Sequence, residues 1–307
     1  MIEIQGLTDL RSPDLEEARQ VRSWVDVTAP SPVELERVAR LLKLDVEELA
    51  DCLDPEEHPR YELEEDYSLL LLRTALQKGE RDTPSMVTFP IGFFFSENFL
   101  VTVHARPLRF LSEKPRRRQK IRLDSPQRLL QYFIQRIIRE FQRALDAVEA
   151  DVDELQEDVL TSSRPDSLPN LFQAIKILVY LNSAIMADMK AVADCRRRSK
   201  DPIWKETLED LEIDLKQVSE MISIQREILT STMDAYASAI SNNLSMVMKV
   251  LASISLVLMI PTLLASLYGM NLDLPLANDP NAFWIIFGMG AILSFISVAM
   301  LWWQEWI

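Results

Sequence analysis

Gly269 and Asn271 follow directly on an uncharged apolar stretch, residues 250–268, and their types suit ion binding. Glycine can adopt backbone angles that other residues avoid, so Gly269 is predicted to end a helix and to expose its last carbonyl oxygens. Those carbonyls carry the negative end of the helix dipole, and Asn271 adds a neutral amide oxygen. Oxygen ligands of this kind suit a hydrated divalent cation, whereas the alternative is an ordinary helix cap and turn.

A second candidate set lies along the same stretch, at alternating steps of three and four residues. That spacing places the side chains on one helical face about 100° wide. The set, called the stripe below, contains small, hydroxyl-bearing and methionine side chains: Ser245, Met248, Ala252, Ser255, Met259, Thr262 and Ser266. Such a face favours either close packing of helices in a membrane or the wall of a pore.

Two apolar stretches must position these residues, 250–268 and 283–303, joined by the short polar segment 269–282. Each is close to the roughly 20 helical residues that cross a bilayer core, so the sequence predicts a transmembrane hairpin. All 33 Lys and Arg residues precede Val250. The positive-inside rule therefore predicts a multi-pass protein of the cell (inner) membrane, with both termini in the cytoplasm and the loop outside.

Composition excludes several classes of function. The net charge of −14 argues against nucleic acid as a partner and is compatible with attraction of cations. Cys52 and Cys195 are far apart and have no zinc-ligand spacing. Neither a nucleophile–base constellation nor a phosphate-binding loop can be recognised, so an enzyme is not expected.

The rest of the chain divides into two predicted parts, an α/β domain over residues 1–124 and a helical stalk over 125–249. Within the stalk, Asp201-Pro202 opens a segment to Tyr268 that has no further Pro or Gly until Pro261, so one helix is predicted to continue from the stalk into the first membrane span. Ser31 and Pro32 predict a capped helix start. Predicted strands are rich in β-branched and aromatic residues and cover 1–4, 23–27, 67–74, 86–95 and 99–104.

Several motifs resemble those of the CorA family of magnesium and cobalt channels. The most specific is Tyr268-Gly269-Met270-Asn271, placed at the end of the first of two C-terminal spans. Further segments that resemble recurring family segments are Trp24-Val25-Asp26, His58-Pro59-Arg60 and the run from Asn98 to His104. The resemblance extends over nearly the whole chain.

The resemblance implies a funnel-shaped homopentamer, with an α/β cytosolic domain, long stalk helices and a C-terminal hairpin of two spans. It implies influx of Mg²⁺, with Co²⁺ or Ni²⁺ as alternatives, driven by the membrane potential. Gly269, Met270 and Asn271 would form the selectivity filter. The stripe, together with Leu251, would form the pore and its gate.

Regulation is also implied by the resemblance. Family members are gated by intracellular divalent cations bound between the cytosolic domains of neighbouring subunits. Asp210 matches a stalk residue of that regulatory site, and Glu80 and Asp82 are weaker candidates for its partners. Mg²⁺ would then be both the transported and the regulatory ion, with no organic cofactor.

The sequence departs from the family pattern in four places. Ser245 stands where Asn is common, and Ser266 where Gly is common. The basic C-terminal tail of the family is replaced by the tryptophan-rich residues 302–307. The external loop offers Asp273 and Asp279 where the family often has Glu.

Two alternatives stay open. One is a zinc transporter of the same superfamily, although that branch usually has a changed signature. The other is a non-conducting, membrane-anchored interaction protein, which would use its basic runs, residues 114–122 and 196–200, for partners or anionic membrane lipid.

Overall fold

The computed structural model describes residues 1–7, 15, 17–18, 20–78, 85–112, 125–162, 167–271, 275, 280–304 and 306. The chain forms two compact units, Met1–Thr230 and Ser231–Ile307. The domain boundaries at residues 124 and 249 stay predictions.

A mixed six-stranded sheet, in the order β1-β2-β6-β5-β4-β3, is the centre of the first unit. Its strands are β1 (Ile2–Gly6), β2 (Ser23–Thr28), β3 (Arg60–Leu63), β4 (Ser68–Lys78), β5 (Ser85–Phe95) and β6 (Phe99–His104). β2 and β6 run parallel, and the other neighbouring pairs are antiparallel. The α/β class is confirmed, but β3 was not predicted.

Two short helices, α1 (Pro32–Leu42) and α2 (Val46–Asp51), pack with one face of this sheet. Ser31 caps α1, because its side chain accepts from the Glu34 backbone N–H while the Glu34 carboxylate reaches back to the Ser31 N–H. Lys43 ends α1 in the left-handed region at φ 49°. Alternate strand residues such as Val25 and Leu71 are fully buried in the core below these helices.

The other face of the sheet carries long helices. After α3 (Arg109–Ser112) come α4 (Pro126–Ser162) and α5 (Ser167–Arg198). Phe133 of α4 packs on Trp24 of β2, with ring centroids 5.1 Å apart. The buried Asp188 carboxylate of α5 accepts a hydrogen bond from the Arg73 backbone N–H of β4 at 2.8 Å. Arg73 lies beyond the residues of β4 that pair with β3, so Asp188 satisfies a donor that β3 does not reach.

Helix α6 (Pro202–Tyr268) is unbroken over 67 residues, and α7 (Ala282–Trp303) follows it. The predicted long helix and C-terminal helix are therefore confirmed. By length and composition α5, α6 and α7 could each cross a membrane. In the apolar window of α5, 39% is buried inside the protein, against 6% in α6 and 11% in α7. Of these three helices in the described part of the chain, α6 and α7 therefore leave their apolar windows almost uncovered.

Candidate functional site

The helix end at the Tyr-Gly-Met-Asn signature is where the sequence predicts it, but the reason differs. Gly269 is not in the left-handed backbone region, so that part of the prediction is wrong. Its N–H still donates to the Ala265 carbonyl at 3.0 Å, as in a regular helix. A Cβ at this position would lie 3.2 Å from that same carbonyl oxygen, close to the contact that residues inside a helix ordinarily make. Gly269 thus continues the hydrogen bonding of α6 by one residue without an unusual backbone angle.

The signature tyrosine has a role that the sequence did not indicate. The Tyr268 hydroxyl donates to the Pro275 carbonyl at 3.3 Å and so ties the end of α6 to the segment that follows it. Met270 and Asn271 are exposed beside this contact. The amide of Asn271 is thus free to meet solvent or an ion at the end of the helix.

One face of α6 contacts α7 within the second unit. Ser253 is only 1% exposed, and Val257, Leu264 and Tyr268 on the same face are partly buried. The Ser294 hydroxyl of α7 donates to the Val257 carbonyl at 3.5 Å. The sequence did not identify this face, because its residues are as apolar as their neighbours.

The stripe lies on the other side of α6. Every residue of the stripe, and Leu251 beside it, is exposed in the chain. At 3.6 residues per turn, the centre of the stripe is roughly opposite the face that contacts α7. Packing against α7 therefore does not explain the stripe.

Three hydroxyl groups of the stripe donate hydrogen bonds within α6. Ser245, Ser255 and Thr262 donate to the carbonyls of the residues four positions earlier, at 2.9, 2.8 and 2.8 Å. This satisfies the donors inside the helix and leaves the oxygen lone pairs as acceptors. The water molecules around a hydrated cation need acceptors for their outer hydrogens, and the stripe supplies such acceptors. It carries no fixed charge that would hold the cation.

The predicted regulatory residue Asp210 is exposed on α6, in the first unit. Arg196 of α5 pairs with the neighbouring carboxylates of Glu209 and Glu212 at 3.8 and 3.0 Å. The other predicted acidic residues lie outside the described residues: Glu80, Asp82, Asp273 and Asp279. The basic run 114–122 also lies outside them.

Three carboxylates that the sequence did not group together converge in the first unit. Oxygens of Glu48, Glu62 and Glu64 lie within 4.8 Å of one another. Burial raises the pKa of Glu48, and the negative charges of Glu62 and Glu64 also raise it. A hydrogen bond from Tyr67 partly offsets this, because it stabilises the charged carboxylate. The group could not be found without β3, which brings Glu62 beside α2.

Comparison with known proteins agrees with the geometry. The family model described as "CorA-like Mg2+ transporter protein" matches residues 19–303. The cobalt/magnesium transport protein CorA of Methanocaldococcus jannaschii is 27% identical over 92% of this chain and 91% of its own length. The protein of the same name from Thermotoga maritima is 22% identical over 99% of this chain and 90% of its own length.

A solved structure shares the complete fold. The complete structure of the CorA magnesium transporter from Methanocaldococcus jannaschii has a TM-score of 0.83 and 24% identity, and the match covers 100% of this chain and 99% of that one. This likeness shows that the α/β unit, the long helix and the C-terminal helix occur together in a known architecture. Since the family model spans most of the sequence, the chain belongs to the family of CorA-like Mg²⁺ transporter proteins.

Proposed function

We propose that this protein is a channel for the influx of hydrated Mg²⁺ across the inner cell membrane, with Co²⁺ and Ni²⁺ as further candidate ions. Two of its relatives are named as cobalt/magnesium transport proteins. In this proposal α6 and α7 are the two membrane spans, and both termini are cytoplasmic.

The observation that carries the proposal is the uncovered stripe. It is a row of small, acceptor-bearing and methionine side chains that faces away from α7 and leads toward Asn271. A polar row on a membrane helix is stable only if it faces a partner or water. Further copies of α6 around a central axis supply both, and the family resemblance sets their number at five.

Selectivity is assigned to Gly269, Met270 and Asn271 at the outer mouth. Five neutral amide oxygens can accept hydrogen bonds from the water shell of Mg²⁺ without removing it. A ring of carboxylates would hold the ion more tightly and slow its release. The tie between Tyr268 and Pro275 keeps the end of α6 in a fixed place below this ring.

The gate is assigned to Met248, in the inner part of the stripe, and to Leu251 beside it. Met248 and Leu251 are large, apolar and exposed, and rings of such side chains close a pore by excluding water. A divalent cation gains roughly 4.6 kcal/mol when it enters down 100 mV, twice the value for a single charge. Feedback from internal Mg²⁺ is therefore needed, and Asp210 is the proposed regulatory residue.

Purified protein in liposomes tests the proposal. A potassium diffusion potential, negative inside, should drive entry of Mg²⁺ that a trapped dye reports, and hexaammine cobalt, which mimics the hydrated ion, should block it. Uptake of Zn²⁺ without Mg²⁺ would instead support the zinc-transporter alternative. Absence of any cation flux from correctly inserted, oligomeric protein would contradict the proposal and favour the interaction protein.

A further inference from the structure

Trp306 and Lys249 make a contact that joins the C-terminal residues to α6. The Lys249 ammonium lies 6.0 Å from the centroid of the Trp306 ring, within the distance of a cation–π interaction. The Trp306 backbone N–H donates to the Leu301 carbonyl at 3.0 Å, and that of Gln304 to the Met300 carbonyl at 3.1 Å. The second bond continues the helix, whereas the bond from Trp306 to Leu301 turns the chain at the end of α7, where the indole lies beside Lys249.

The position of Lys249 gives the contact a consequence. Between Ser231 and Ile307 it is the only Lys or Arg in the sequence, and it directly follows Met248 of the stripe. Successive helical residues are turned by about 100°, so Lys249 points between the stripe and the face that contacts α7. Its long, flexible side chain can turn toward either side.

We propose that Trp306 is a positioning residue that holds the Lys249 ammonium at the end of α7, away from the inner end of the cation path. The inference rests on the proposed function. Indole is the strongest natural partner for a cation over a ring. Without it, one lysine from each subunit is free to turn toward the pore, where a group of positive charges repels the emerging divalent ion.

The first experiment measures Mg²⁺ influx and asks whether removal of the Lys249 charge restores the influx that is lost with Trp306. Trp306→Ala should lower Mg²⁺ influx roughly two- to fivefold, the factor that a partly exposed cation–π contact is worth. Adding Lys249→Met to Trp306→Ala should restore influx, because the repelling charge is gone. The influx of Trp306→Phe should lie between those of Trp306→Ala and the wild type. Trp303→Ala is the matched control, since Trp303 is 86% exposed. A Trp306→Ala defect that Lys249→Met does not rescue would make Trp306 merely structural and overturn the proposal.

A second measurement tests the contact without any flux. A spin label on Gln304→Cys reports the mobility of the C-terminal residues, and the native Cys52 and Cys195 are buried and so protected from the label. Lys249→Met should increase the mobility of the label, and unchanged mobility would overturn the contact. If the wild-type protein carries no cation at all, the proposed function fails, whereas the label still decides whether Trp306 holds Lys249.

Discussion

In the proposed filter Asn271 meets the ion with a neutral amide, and the loss of that oxygen should be measurable directly. Asn271→Ala removes one acceptor from each subunit and should lower Mg²⁺ influx about tenfold or more, since a hydrogen bond to a charged group is worth roughly 1.5–3 kcal/mol. Asn242→Ala, an exposed amide on the same helix but off the stripe, is the control. Wild-type influx through a correctly assembled Asn271→Ala protein would remove Asn271 from the filter.

Gly269 allows a second prediction, because a matched glycine exists in α7. Neither glycine is in the left-handed backbone region, and a Cβ at Gly288 would meet nothing within 4 Å beyond the backbone of its own helix among the described residues. Gly269→Ala places a methyl group in the proposed filter and should reduce Mg²⁺ influx, while Gly288→Ala lies outside the filter and should leave influx unchanged. Equal effects of the two substitutions in the liposome assay would show that space at Gly269 does not matter.

Gly92 is a position where the absence of a side chain decides the packing, here inside the sheet. A Cβ on Gly92 would overlap Sγ of the buried Cys52, at the contact between β5 and the end of α2. Gly92→Ala should reduce stability by about 1–3 kcal/mol, as overpacked cores do. Cys52→Gly should relieve much of that loss in the double variant. Thermal unfolding followed by circular dichroism measures both, and strictly additive losses would contradict this explanation.

At the scale of elements, local signals were enough for the long helices and most strands. The Ser31 capping box begins α1 where it was predicted, and the absence of Pro and Gly between Pro202 and Pro261 predicted α6 as one long helix. β3 was missed because its four residues, Arg60 to Leu63, include two charged side chains and resemble a loop. Pairing with β4 and the ion pair from Arg60 to Asp51 hold it in the sheet, and neither is a local signal.

The candidate site divides in the same way. The stripe and the signature are periodic or contiguous, so the sequence shows them. The bond from Tyr268 to Pro275 and the contact between Lys249 and Trp306 join residues through tertiary structure, so no pattern predicts them. Gly269 was identified correctly as a helix end, but its backbone is not left-handed, and sequence alone does not reveal which backbone angles a glycine adopts.

The junction of α2 with β3 yields a pH prediction. Burial raises the pKa of Glu48 above its unfolded value of about 4.3, so folding favours the protonated acid. The associated stability is fully present below the unfolded pKa and is lost as the pH rises through the folded pKa. Glu48→Gln does not titrate, so its stability relative to wild type should increase with pH across that window and then stay constant. Unfolding curves at several pH values test this, and a pH-independent difference would contradict it.

At the scale of the whole molecule, charge and membrane orientation act together. The chain carries a net charge of −14, yet its Lys and Arg residues all precede Val250. In the proposed orientation this places every basic side chain on the cytoplasmic side. The acidic surface of the same region is exposed to internal divalent cations, which is what a feedback mechanism requires.

Asp210 is the proposed point where internal Mg²⁺ acts on the assembled protein. A metal ion shared across a subunit interface offsets the repulsion between carboxylates and holds the stalks in the closed state, so falling internal Mg²⁺ should open the channel. Asp210→Ala should weaken inhibition by cytoplasmic Mg²⁺ without changing the selectivity that depends on Asn271. Asp210→Lys, which replaces the ion with a fixed positive charge, should favour the closed state at low Mg²⁺. Asp214→Ala, an exposed acid one turn further along α6, is the control. The measurement is current against cytoplasmic Mg²⁺ for each protein, and superimposable inhibition curves would make Asp210 an ordinary solvated residue of the stalk.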